Sequence, residues 1–218
     1  MFKFYKTFPF LIVLVVITID QLLKFWVKCN YSLGDNIFSY GFVSLDFVEN
    51  PGMAFGLSFG SVISKYILSL FRVLAVIAIG YYILKLIKTK ANTKFICLVS
   101  LIFAGALGNI IDNLFYGLIF DSGTTWNEDI GYWVGYSGVS KITFEGYGTF
   151  LSGCVVDMIH FVFYWPDWVP FGLGGKEIFP PVFNLADMCI STSVFSIIVF
   201  YKKIVRKEDL EIRFKKLK

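Results

Sequence analysis

The sequence predicts an all-α polytopic membrane protein: four transmembrane helices, a small extracytoplasmic β-containing subdomain and an inserted external loop. Three observations predict it. Of the 218 residues, 56% are hydrophobic and only 17% charged, whereas soluble domains are about 45–50% apolar and about 25% charged. The apolar excess falls in runs close to the ~20 residues that a spanning helix needs. Lysine and arginine gather at every second connection between those runs, the alternation that the positive-inside rule demands. One compact membrane domain covering residues 1–218 is expected, with no separate soluble domain.

The first span is expected at about 8–27, preceded by Lys3 and Lys6, which places the N-terminus inside. A cleavable signal peptide is the competing reading. The run is long for one, lacks a small-residue cleavage site and continues through Asp20 and Lys24, so a retained helix is preferred. Residues 28–64 form an external segment punctuated by Gly34, Gly41, Pro51, Gly52 and Gly56. Within it, Phe42 to Val48 alternates as short strands do. A second span is expected at 66–87, and Lys85, Lys88, Lys90 and Lys94 then mark a cytoplasmic turn. The third span is expected at 95–115. Residues 117–181 form the longest connection, rich in Gly, Tyr and Trp, with only Lys141 and Lys176 as cations, which suits the outer face. Its apolar stretch Met158 to Phe171 is too short to span and holds Pro166 and Pro170, so it reads as interfacial or re-entrant. The fourth span is expected at 183–201, followed by a basic tail. Both ends then lie inside.

Several classes of function are excluded or disfavoured. The basic tail from Lys202 to Lys218 comes with no nucleic-acid module and reads as a cytoplasmic flank. Cys29, Cys97, Cys154 and Cys189 show no metal-ligand spacing, and a Cys29–Cys154 disulfide has no support beyond a shared side of the membrane. His160 is the only histidine, so a His-rich zinc site is excluded and a Ser-His-Asp triad could use that residue alone. No metal and no cofactor is expected.

Ionisable groups inside spans are costly, by roughly 2.5–3.5 kcal/mol at mid-helix, and are usually functional. Asp20 and Lys24 lie one turn apart, as a local ion pair or as an orienting group for an active-site loop. Asn109 and Asp112 share a face near the end of the third span, just after Gly105 and Gly108, which permit close helix approach. They could be interhelical glue or substrate contacts. Asn184 and Asp187 repeat that spacing after Pro180 and Pro181, where a helix is expected to start. Asp157 stands alone in the apolar string Val155-Val156-Asp157-Met158-Ile159. Arg72 sits inside the second span, to pair with a carboxylate or a lipid headgroup. Asn50 to Gly56, with Pro51 and Gly52, makes a defined turn with a polar tip.

Taken together, these strings resemble the lipoprotein signal peptidase (signal peptidase II) family. The matching elements come in the family's order: Asp20 to Lys24, Asn50 to Gly56, Gly108-Asn109-Ile110-Ile111-Asp112, Val155-Val156-Asp157 and Phe183-Asn184-Leu185-Ala186-Asp187. The resemblance implies an aspartic endopeptidase of the bacterial inner membrane, with its active site toward the outer face. Its substrates would be prolipoproteins already carrying diacylglycerol, cut just before the lipidated cysteine. Asp157 and Asp187 match the catalytic pair; Asp20, Lys24, Asn50, Gly52, Asn109, Asp112 and Asn184 match the surrounding support. Expected partners are the lipid-modified substrate and membrane phospholipids, with no nucleic acid and a monomeric state.

Two departures stand out. The family usually carries Arg directly after the third-helix Asp, where this chain has Asn113, with Arg72 or Lys24 as substitutes. Residues 118–153 form an insertion, expected as an external elaboration beside the active site. The string Leu151-Ser152-Gly153-Cys154 resembles a lipobox but lies deep in the chain, so it is taken as chance. The alternative function is a small membrane transporter or proton-conducting subunit, which also uses intramembrane carboxylates. That class predicts carboxylates strung along a path through the bilayer.

Overall fold

A computed structural model of the chain describes residues 2–52, 62–206 and 209, with side chains from residue 7 onward. Helix α1 (Phe2–Asn30) is followed by strands β1 (Asn36–Tyr40) and β2 (Val43–Asn50), then by helix α2 (Val62–Lys88). Helix α3 (Thr93–Ile111) runs through a π-helical turn (Asp112–Tyr116) into the short α4 (Gly117–Ile119). Strands β3 (Thr125–Asn127), β4 (Tyr132–Val134) and β5 (Val155–Phe161) precede helix α5 (Leu185–Val199) and its short extension α6 (Tyr201–Ile204).

Among the described residues, three helical stretches are long and apolar enough to cross a bilayer: Thr7–Asn30, Val62–Lys88 and Thr93–Ile119. The shortest has 24 residues, about 36 Å at 1.5 Å per residue, against a hydrocarbon core of about 30 Å. Helix α5 has 15 residues, about 22 Å, so by itself it falls short of the span expected at 183–201. The helix begins at Leu185, because Asn184 in extended conformation caps it; Pro180 and Pro181 lie outside it. The cap is reciprocal. Asn184 Oδ1 accepts from the Asp187 N–H at 3.0 Å, and Asp187 Oδ2 accepts from the Asn184 N–H at 3.3 Å.

Outside the helices, β1, β2 and β5 form an antiparallel sheet in the order β1-β2-β5, and β3 pairs with β4 as a separate hairpin. Val48 stands opposite Asp157 and Asn50 opposite Val155. For Met158 to Phe171 the sheet speaks against the re-entrant alternative only. The first four residues, Met158 to Phe161, end strand β5, paired to β2 on one edge and to Phe183 on the other, and the rest is mostly irregular with Trp168 and Phe171 exposed. The backbone groups of Met158 to Phe161 are therefore satisfied by a ladder, and no helix forms over 158–171.

The core beneath the sheet contains Val27, Phe47, Tyr116, Phe120, Val156 and Met158. Phe120 belongs to the segment 118–153, so that segment is packed onto the body. Two buried lysines hold it. Lys28 Nζ donates to the Glu49 carboxylate, to Ser122 O at 2.9 Å and to Tyr136 Oη at 3.2 Å. Glu49 Oε2 in turn accepts from the Thr124 N–H at 2.6 Å. Lys65 Nζ donates to Ser152 O at 2.6 Å and to Cys154 Sγ at 3.2 Å. Cys154 and Cys29 are both free thiols, so the lipobox-like string ends in a buried packing residue and the two form no disulfide.

Candidate active site

Four elements meet at the site. The C-terminal half of α1 supplies Asp20, Gln21 and Lys24. The end of α3 and the π-turn supply Asn109 and Asp112. The β2–β5 pair supplies Asn50 and Asp157, and the first turn of α5 supplies Asn184 and Asp187.

The helices approach closely because α3 carries glycine where they touch. A Cβ on Gly105 would collide with the Ala186 carbonyl and lie 2.8 Å from Ile190 Cγ1; on Gly108 it would lie 2.7 Å from Asp20 Oδ2. In this contact, Lys24 Nζ, fully buried, sits 2.9 Å from Asp20 Oδ2, 2.8 Å from Asp112 Oδ2 and 2.8 Å from Asn109 Oδ1. It therefore ties α1 to α3 rather than forming only a local pair. Asp20 Oδ1 accepts from the Ala186 N–H at 3.2 Å, placing a carboxylate at the positive end of α5. Asp20 thus anchors a helix start; no bond to the Asn50 turn accompanies it among the described contacts. Asp112 Oδ2 also accepts from the Val156 N–H at 3.3 Å, linking the third span to β5.

Around this anchor the two candidate catalytic carboxylates are joined by amides. Asn184 Nδ2 donates to Asp157 Oδ1 at 2.6 Å and to Asn109 Oδ1 at 3.0 Å. Asn109 Nδ2 donates to Asp187 Oδ1 at 2.8 Å. Asn50 Nδ2 donates to Asp157 Oδ2 at 3.3 Å, while Asn50 Oδ1 accepts from the Gly52 N–H at 2.9 Å. Gly52 has φ +108°, and a Cβ there would lie 3.2 Å from Leu68, so the turn requires glycine. The rest of the Asn50 to Gly56 string, Met53 to Gly56, lies outside the described residues.

The two carboxylates differ in environment. Asp157 is 3% exposed, and Asp187 is half-buried. Burial, with the negative charge of Asp187 next in weight, pushes the Asp157 carboxyl up to about 8, against the opposing pull of Lys24 and the Asn50 and Asn184 donors. A carboxyl raised this far keeps its proton at neutral pH. Beside Asp187 opens an apolar groove of ≈ 430 Å³, lined by Phe161, Phe163, Phe179, Phe183, Met188 and Thr192.

All nine site residues predicted from the sequence fall in or against this network. His160 does not: it contacts Asp46 at 2.8 Å and Glu177 at 3.5 Å on the sheet, so no Ser-His-Asp arrangement forms around it. Gln21 went unpredicted. Its Nε2 donates to Asp112 Oδ1 at 2.8 Å and Gly108 O at 3.2 Å, and its Oε1 accepts from the Tyr116 hydroxyl at 3.1 Å. The signal was available, since an amide inside a span next to Asp20 carries the same desolvation argument. Asn113, where the resemblance leads one to expect an arginine, is buried and donates to Asn109 O at 2.9 Å, and among the described residues its Oδ1 has no partner.

Comparisons with known proteins agree with the geometry. The model of the Signal peptidase (SPase) II family matches residues 12–203. A lipoprotein signal peptidase of Porphyromonas gingivalis is 41% identical over 203 residues, covering 89% of this chain and 82% of that protein. A lipoprotein signal peptidase of Amoebophilus asiaticus is 35% identical over 199 residues, covering 86% of this chain and 75% of that protein. A solved bacterial membrane enzyme shares the fold with a TM-score of 0.53 at 23% identity, over 94% of both chains. With most of its length matched by the family model and by these relatives, the chain belongs to the signal peptidase II family.

Proposed function

We propose that this chain is a membrane-embedded aspartic endopeptidase that removes signal peptides from diacylglyceryl-modified prolipoproteins, cutting before the lipidated cysteine, with Asp157 and Asp187 as its catalytic pair. The observation that carries this reading is the amide bridge: Asn184 bonds Asp157, Asn109 bonds Asp187, and Asn184 bonds Asn109. Two carboxylates from separate elements are thus fixed in one network. The carboxylates cluster at one end of the helices, which favours a site over a conduction path.

In the proposed mechanism Asp157 keeps its proton at neutral pH and hydrogen-bonds the scissile carbonyl. Asp187, the more open member, takes a proton from the attacking water and returns it to the leaving amine. Neither role needs a metal. The asparagine amides stay fixed while charge moves between the carboxylates, so little reorganisation accompanies the step. The groove beside Asp187 takes the apolar part of the substrate, where burial contributes about 0.8 kcal/mol per CH₂.

The topology that fits this chemistry has four crossings, with α5 and α6 together forming the last. Both termini are cytoplasmic and the pair faces outward. Segment 118–153 is a fixed external elaboration of the same single domain, and the enzyme works as a monomer among phospholipids. The test is direct. Purified protein in detergent is incubated with a diacylglyceryl-modified prolipoprotein, and the product is followed by mass. Wild type is expected to release the signal peptide, and Asp157→Asn and Asp187→Asn to insert normally yet cleave nothing. Normal processing by either variant would remove that residue from the mechanism.

A further inference from the structure

Arg72 is the charged residue near this site that the network leaves out. It lies in α2, ten residues from the start of the helix, half-buried. It shares a face with Lys65 and Leu68, seven and four residues earlier. Those two neighbours fix where the face points. Lys65 reaches Ser152 O and Cys154 Sγ, three residues before Asp157, and Leu68 lies against the Gly52 turn that positions Asn50. Arg72 therefore lies on the helix face that these two contacts turn toward the site, and both Asp187 and Asp157 act on its charge. Yet among the described residues Arg72 makes no ion pair and no hydrogen bond. A guanidinium inside a span with five N–H donors unengaged is costly unless something else takes them.

We infer that Arg72 is a substrate-binding residue whose guanidinium donates to carbonyl oxygens of the diacylglyceryl-cysteine segment as it lies across the aspartate pair. This rests on the peptidase reading above. The chemistry of the ligand follows from that of the donor. The fork sits beside two carboxylates without bonding either, so it is not consumed as their counter-ion. The substrate groups that enter a lipid-facing site unsatisfied are neutral carbonyls, of the peptide or of the glyceryl esters. The scissile carbonyl is already assigned to Asp157, so Arg72 holds a neighbouring one.

The test compares wild type, Arg72→Met and Arg72→Lys on two substrates: one with the natural ester-linked diacylglyceryl group, one with an ether-linked group that lacks those carbonyls. Expected is a fall in kcat/KM of about tenfold to a hundredfold for Arg72→Met, carried mainly by KM, with unfolding temperature unchanged and partial recovery in Arg72→Lys. A loss confined to the ester substrate assigns the contact to the glyceryl esters; an equal loss on both assigns it to the peptide. Activity of Arg72→Met within twofold of wild type on both substrates overturns the inference while leaving the peptidase reading intact. So does a loss in kcat alone that tracks a lowered unfolding temperature in both variants. If the wild-type chain cleaved neither substrate, the peptidase reading would fall and this inference with it.

Discussion

Asn184→Asp separates the structural and chemical duties of the residue that joins the two carboxylates. Asp caps helices as well as Asn does, so the bond that Asn184 Oδ1 accepts from the Asp187 N–H survives the change. What changes is Nδ2. It donates at 2.6 Å to Asp157 and at 3.0 Å to Asn109. An ionised oxygen in its place faces two acceptors, one of them the group that must keep its proton. Hydrogen bonds involving a charged group contribute about 1.5–3 kcal/mol, and leaving buried partners unsatisfied costs a similar amount. At 1.36 kcal/mol per tenfold in rate, the expected loss in kcat is at least about a hundredfold. Helix stability should move little, whereas Asn184→Ala should also lose the cap, about 1 kcal/mol. The assay pairs prolipoprotein cleavage, followed by mass, with thermal unfolding in the same detergent. Because a protonated Asp at 184 could donate where an ionised one cannot, residual activity of Asn184→Asp should rise as pH falls below 6. Activity within threefold of wild type at pH 7–8 would refute the bridging argument, since an amide donor would then be dispensable between the carboxylates.

Other expectations follow from neighbouring parts of the molecule. Gly105→Val should abolish folding or lower the unfolding temperature sharply, because its side chain enters the Ala186 carbonyl and Ile190; yield and thermal unfolding in detergent read this. Lys28→Met leaves the Glu49 carboxylate buried without its cation and should cost about 3–5 kcal/mol, whereas Lys28→Met with Glu49→Leu should recover much of it. Chemical denaturation of all three proteins checks the sign. The Asp157 carboxyl lies at about 8, well above its ordinary value. The protonated form is the one that burial favours and the proposed mechanism uses. Cleavage should therefore decline as pH rises through about 8, whereas the stability contribution, full below about pH 4, should be lost progressively between about pH 4 and pH 8. Unfolding temperatures at pH 6 and pH 9 should differ in wild type, and differ less in Asp157→Asn.

Much of the site is legible from sequence because a bilayer makes polar residues conspicuous. Asp20, Lys24, Asn109 and Asp112 stand out in apolar runs, and helical spacing alone puts each pair on one face. Gln21 escapes because an amide beside a more prominent acid attracts no separate attention. The Lys28–Glu49 and Lys65–Cys154 contacts were out of reach for a different reason. Each joins residues 21 or 89 positions apart on different elements, where periodicity carries no partner information. Strand β5 shows the ambiguity of a short apolar run followed by prolines, whose identity is decided by pairing with β2 rather than by its own composition. The start of α5 at Leu185, within two residues of the expected 183, is set by the Asn184 cap rather than by Pro180 and Pro181 themselves.

Strand β5 carries one last consequence, for inhibitors. The backbone groups that face away from β2 beside Asp157 are already occupied. The Val156 N–H goes to Asp112, the Val156 carbonyl accepts from Asn184, and the Met158 N–H goes to Phe183. An extended peptide mimic, built to extend a sheet by adding a strand, finds no vacant ladder there. Compounds aimed at this enzyme gain more from engaging the carboxyl groups themselves and the greasy furrow next to Asp187 than from imitating a main chain.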